Sequence, residues 1–194
     1  SIPQAAAVAE AVERYAPDAW LVNFTNPSGI VTEYLLNHTP VKAIGLCNLP
    51  IGAQERLARL LGLNMDQVRL ETVSLNHCGA ITAVHVGGEN VLPRLLSGDV
   101  LREAAAHDDW VKYYLPIIEM LSALPNDYLQ YFYYHARKLS EQKNAHQTRG
   151  EACREIEARL LAYYADEGNR TVPPMLAERG GHLYSEAAVA LIAS

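Results

Sequence analysis

Cys47 and His77 are the two side chains of this chain best suited to hold a first-row metal ion. Cys47 stands in Gly45-Leu46-Cys47-Asn48-Leu49-Pro50 and His77 in Leu75-Asn76-His77-Cys78-Gly79. A thiolate and an imidazole form a soft-to-borderline donor pair, and two protein ligands leave positions open for substrate oxygens. Asn26 in Asn23-Phe24-Thr25-Asn26-Pro27-Ser28-Gly29 and Asn48 beside Cys47 complete the polar set. Each also has an ordinary structural role. A buried Cys behaves as a small hydrophobe, a His after a strand hydrogen-bonds its own loop, and an Asn before Pro is turn chemistry.

The elements around these residues decide whether they can meet. An Ala-rich helix is expected over 3–15, and 19–24 reads as a buried strand bounded by the Asn26–Gly29 turn. A helix over 30–36 and an apolar strand over 41–46 follow, so strand, helix and strand form a βαβ unit with parallel strands. Ligands bind beyond the carboxyl ends of such strands, which here deliver Asn26 after the first and Cys47 with Asn48 after the second. Pro50 opens a helix running to Leu61 and closing at Gly62. Two further strands are expected over 68–75 and 80–86, the first presenting His77 at the same rim. Beyond Val91 the periodicity turns helical, with segments near 100–106, 111–123, 127–139, 149–165 and 184–193.

Two motifs lie in the helical part. Tyr128, Tyr131, Phe132 and His135 form an i, i+3, i+4, i+7 stripe, which predicts a helix face against the core. Thr148-Arg149-Gly150-Glu151 is a capping box, placing Arg149 in a first helical turn where free N–H groups and the helix dipole favour an anion. A solvated arginine at a helix start fits the same pattern.

The 194 residues are 49% hydrophobic and 20% charged with a formal net charge of −6. That composition suits a globular protein, and the acidic balance without a Lys/Arg stripe excludes a nucleic-acid footprint. No apolar run reaches the roughly 20 residues that span a bilayer, and residues 1–15 lack a secretory signal pattern, so no membrane partner and a cytoplasmic location are expected. Cys47, Cys78 and Cys153 match neither a disulfide framework nor a zinc ribbon and are expected to be thiols.

The motifs around Asn26, Cys47 and His77 stand in an order that closely resembles glycoside hydrolase family 4, and within it the 6-phospho-β-glucosidase branch. Pro125-Asn126-Asp127-Tyr128-Leu129-Gln130-Tyr131 and Glu178-Arg179-Gly180-Gly181-His182-Leu183-Tyr184 extend the resemblance over essentially the whole chain. It implies an α/β fold: the C-terminal part of a Rossmann-like, lactate/malate dehydrogenase-type parallel sheet continuing into an α+β, mostly helical substrate domain. Residues 1–50 would be the distal end of an NAD-binding domain and 51–194 an incomplete substrate-binding and oligomerisation region.

By this resemblance Cys47 and His77 are Mn²⁺ ligands, Asn26 and Asn48 face the sugar, Arg149 binds the substrate phosphate, and Tyr128 is the catalytic base. Asn48 stands where the related 6-phospho-α-glucosidases carry an Asp proposed as proton donor. An amide has no such proton, which favours the β branch. A phenol of reference pKa about 10 needs a nearby cation to act as base at neutral pH, and the metal supplies one.

Most glycosidases use two carboxylates, and the NAD-dependent family 4 is an exception. The implied reaction runs through hydride transfer from sugar C3 to NAD⁺, C2 deprotonation, loss of the glycosidic oxygen, addition of water and return of hydride. Its substrate is a phosphorylated disaccharide or aryl glucoside, and the protein is expected to be a homo-oligomer, dimer or tetramer. No Gly-rich phosphate loop occurs in the chain, so the main NAD loop is expected upstream of Ser1 and the fragment alone is expected to lack catalysis. The rival readings are a lactate/malate dehydrogenase-like oxidoreductase, another family 4 specificity such as α-glucosidase or α-galactosidase, and a non-catalytic assembly module. Glu178–Gly181 is expected to be a structural turn, and His85, His107, His182 and Cys153 carry no site role.

Overall fold

The computed structural model describes residues 1–179 and 183–193. They fall into two compact units, one of residues 1–65 with the chain from Leu183 onward, the other within 66–182. The first unit opens with helix α1 (Ile2–Tyr15), strand β1 (Trp20–Asn23), helix α2 (Ser28–His38), strand β2 (Lys42–Gly45) and helix α3 (Leu49–Leu61). β1 and β2 pair in parallel, with Leu21 opposite Ala43 and Asn23 opposite Gly45. Ala9 of α1, Val31 and Leu35 of α2, and Val41 and Ala43 around β2 form one buried cluster. The apolar faces of two helices thus close on one short sheet, and burying a side chain such as Leu35 contributes about 1.5–3 kcal/mol.

The second unit carries a separate, antiparallel sheet. Strand β3 (Val68–Leu75) turns into β4 (Cys78–Val86), which also pairs with β5 (Glu89–Asn90). Helices α4 (Leu92–Ser97), α5 (Val100–Ala104) and α6 (Asp109–Leu121) follow, and then strand β6 (Leu124–Pro125), which lays Leu124 against Ile81 and Pro125 against Ala80 of β4. β3 therefore does not extend the parallel pair as a third strand. A two-residue connection between its end and β4 permits only antiparallel pairing, because parallel strands need a long crossover.

The sequence stripe at 127–139 predicts one helix, and the structure breaks it. A 3₁₀ turn over Asp127–Leu129 leads into α7 (Gln130–Tyr133), and after Tyr134 the chain restarts as α8 (His135–Lys143). Tyr134 leaves helical geometry at φ −117°, ψ 34°. Its hydroxyl donates to the Tyr113 carbonyl oxygen and its ring packs edge-on against Tyr114, so a tertiary contact overrides a local pattern holding no Gly or Pro. Tyr131 and Phe132, expected against the core, are 45% and 74% exposed. Helix α9 (Arg149–Ala165) and the short α10 (Leu176–Arg179) complete this unit, while α11 (Tyr184–Ile192) belongs to the first. No helix among the described residues is long and apolar enough to cross a membrane.

Gly79 is fixed by close approach at the start of β4. A Cβ there would stand 2.1 Å from the Ser74 Cβ and 2.4 Å from the Val73 carbonyl oxygen. Backbone cannot yield as a flexible side chain can, so Gly79→Ala is expected to cost about 1–3 kcal/mol through overpacking and to loosen the turn that carries His77. A thermal melt checks this, and an unchanged midpoint would show that the hairpin absorbs the methyl group.

Candidate functional site

The loops after β1 and β2 are clamped together by the backbone of Leu46. Its amide donates to the Asn23 carbonyl oxygen at 2.9 Å, and its own carbonyl accepts from the Ser28 hydroxyl at 3.3 Å. Asn23 and Ser28 are the buried polar side chains among the described residues. The Asn23 amide donates to the Thr32 hydroxyl at 3.1 Å and its oxygen accepts from the Thr25 amide at 2.9 Å, so the burial is satisfied. Gly45 lies so close to Thr32 that a Cβ would meet its hydroxyl oxygen at 2.2 Å. These contacts bring the exposed Asn26, whose bond to Pro27 is cis, onto a loop adjoining the half-buried Cys47 and Asn48. Asn48 ends the loop, and its carbonyl oxygen receives the Gly52 amide at 3.0 Å in the first turn of α3. The sequence reading passed over Asn23 and Ser28 as site supports, although both belong to the motif that carries Asn26.

In the second unit, the β3–β4 turn and the segment after β6 bring His77 and Tyr128 together. Their rings stack with centroids 4.2 Å apart at an interplanar angle of 16°. His77 occupies the left-handed region at φ 63°, which costs a non-glycine residue roughly 1–2 kcal/mol. Such strain gathers at functional positions, where the surrounding structure holds it in place. Opposite His77, Asn126 donates its backbone amide to the Gly79 carbonyl oxygen at 2.9 Å, and its side-chain oxygen accepts the Tyr128 amide at 3.0 Å. Tyr128 is 44% exposed.

Arg149 stands in the first turn of α9, as the capping box requires. Thr148 accepts the Glu151 amide at 3.2 Å, and Glu151 accepts the Thr148 amide at 2.8 Å. The Thr148 backbone amide foremost, and then the Thr148 hydroxyl, which also donates to that carboxylate at 2.8 Å, hold the Glu151 carboxyl below its ordinary value. The Arg149 guanidinium donates to the carbonyl oxygens of Glu178, at 3.5 Å, and Arg179. Arg159 pairs with both Glu178 carboxylate oxygens at 2.7 and 2.8 Å. The start of α9 is thereby tied to α10; Glu178 and Arg179 lie in that helix, and the remaining Gly180, Gly181 and His182 of the C-terminal motif lie outside the described residues. His85 pairs with Glu71 at 2.8 Å across the sheet, a structural role.

Among the described residues no three His, Cys, Asp or Glu side chains gather as a metal cage. Cys47 in the first unit offers a sulfur donor and His77 in the second a nitrogen donor, donor types that suit a divalent first-row ion.

One unit with a parallel βαβ arrangement and polar loops at its strand ends, and a second, mostly helical unit with a stacked imidazole and phenol, define an α/β protein. The family 4 glycosyl hydrolase model matches residues 1–63, and the model of the family's C-terminal domain matches residues 73–194, so the chain belongs to glycosyl hydrolase family 4. A probable 6-phospho-β-glucosidase of Bacillus subtilis strain 168 is 34% identical over 204 residues, covering 100% of this chain and 46% of that protein. The 6-phospho-β-glucosidase BglT of Thermotoga maritima is 33% identical over 181 residues, covering 92% of this chain and 42% of that one. A crystal structure of the Thermotoga maritima 6-phospho-β-glucosidase with manganese, NAD⁺ and glucose-6-phosphate superposes with a TM-score of 0.75 at 30% identity. That match covers 98% of this chain and 45% of the solved one. The chain thus spans less than half the length of these relatives.

Proposed function

We propose that this chain supplies the metal- and substrate-binding part of an NAD- and manganese-dependent hydrolase of 6-phospho-β-glucosides. The observation that carries the reading is the His77–Tyr128 ring stack on a strained turn, found in a chain of a family whose member was crystallised with manganese, NAD⁺ and glucose-6-phosphate. In this reading residues 1–50 are the distal end of the NAD-binding domain, and 51–194 form the substrate and oligomerisation region.

Cys47 and His77 would hold the metal, which supplies Lewis-acid polarisation of substrate oxygens, while the nicotinamide supplies reversible oxidation at C3. Tyr128 takes the proton from sugar C2, which is acidic once C3 is a ketone. Asn26 and Asn48 orient the sugar by amide hydrogen bonds. Arg149 leaves the α10 carbonyls to grip the phosphate, because an anion is a stronger partner for a guanidinium than a neutral carbonyl. The free thiols Cys47, Cys78 and Cys153 suit a reducing, cytoplasmic setting, and the same reading has the protein as a homo-oligomer, dimer or tetramer.

The deciding experiment assays the whole protein on an aryl 6-phospho-β-glucoside with and without NAD⁺ and Mn²⁺, alongside the α anomer, lactate and malate. Hydrolysis of the β-glucoside that needs both additions is expected. Metal-independent oxidation of a hydroxy acid, with the glucosides untouched, would overturn the assignment.

A further inference from the structure

Tyr114 is 2% exposed on the inner face of α6, yet its side chain ends in a hydroxyl. A buried hydroxyl without a partner is costly, so where this one points is informative. It donates to the Asp127 carbonyl oxygen at 2.8 Å and stands 3.3 Å from that of Asn126. These are the two peptide carbonyls immediately before Tyr128. Asn126 closes the same turn from the other side through Gly79 and the Tyr128 amide. The Tyr114 ring is itself flanked by Trp110, centroids 5.8 Å apart, and by Tyr134, 6.3 Å apart. Burial, followed by the Asp127 carboxylate, pushes the phenol well above its ordinary value, so the hydroxyl remains a donor.

We infer that Tyr114 is a positioning residue for proton abstraction: its hydroxyl fixes the Asn126–Asp127 carbonyls and thereby aims the Tyr128 ring at substrate C2. This rests on Tyr128 being the base. The Tyr128 ring stands half-exposed, with the His77 stack and this backbone anchoring to direct it. A base displaced by about 1 Å loses on the order of 10²-fold in rate, more than the loss of one hydrogen bond suggests.

The test is Tyr114→Phe in the whole protein, loaded with Mn²⁺ and NAD⁺ and assayed on an aryl 6-phospho-β-glucoside. We expect kcat to fall by about 10- to 100-fold with KM nearly unchanged. The C2-deuterium isotope effect should equal or exceed that of the wild type, and single-turnover nicotinamide reduction should keep its rate. Independently of activity, the Tyr128 amide should exchange hydrogen faster. Ile117→Val, on the same buried face without a polar contact, shows what lost stability alone does. If Tyr114→Phe behaves like Ile117→Val, with kcat and isotope effect intact, or if nicotinamide reduction slows in step with turnover, the inference is overturned. Should Tyr114→Phe fail to fold, 4-fluorophenylalanine at position 114 fills the hydroxyl's volume without donating, and the same outcomes decide. Tyr128→Phe is run beside it: wild-type turnover there removes the reading of Tyr128 and the inference together, whereas loss there without loss in Tyr114→Phe removes the inference alone.

Discussion

Tyr128→Phe is expected to lower kcat by about 10²–10⁴-fold, the range that a positioned general base contributes. The substitution removes one oxygen and leaves the ring and the backbone amide of the residue in place. The ring still stacks on His77, and the Tyr128 amide still reaches the Asn126 side chain. At 44% exposure the lost hydroxyl opens no core cavity, so stability should stay within the ±0.5 kcal/mol usual for surface changes. Exchange of the C2 proton with solvent deuterium separates this step from the others. Wild-type protein should wash the proton out during turnover, and the variant should not. A kcat within about threefold of wild type, less than 1 kcal/mol of barrier, would assign the base to another residue.

Cys47→Ser is expected to weaken Mn²⁺ binding by more than the 10- to 100-fold lost when outer-shell partners are removed. A serine hydroxyl stays protonated at neutral pH and is a far poorer ligand than a thiolate. The loop should keep its path, because Leu46 is held at both backbone groups by Asn23 and Ser28 and neither contact involves the sulfur. Calorimetric titration of Mn²⁺ into both proteins reads the difference. Equal affinity would leave Cys47 as a half-buried hydrophobe and move the metal elsewhere.

The architecture near Cys47 was legible in the chain because its information is local. Apolar runs over 19–24 and 41–46 with an intervening helix specify a parallel pair, and the Asn23–Gly29 motif contains the polar residues that lock its loops. The capping box before Arg149 was equally readable, since Thr148 and Glu151 satisfy each other three residues apart. Around Tyr128 the local pattern misled. The helical stripe at 127–139 gives way at Tyr134, whose ring and hydroxyl are engaged by residues of α6.

Residue order and type were sufficient for the family, the βαβ unit and the candidate donors. The meeting of His77 with Tyr128 was decided by tertiary structure. It depends on a two-residue strand, Leu124–Pro125, too short to show a period, and on a turn that holds His77 at positive φ. It depends also on Tyr114, whose spacing in α6 marks it as a core ring while its hydroxyl bonds to carbonyls more than three helical turns away in sequence. Periodicity reports which face of an element is buried; it carries no record of which distant backbone group a buried hydroxyl will find.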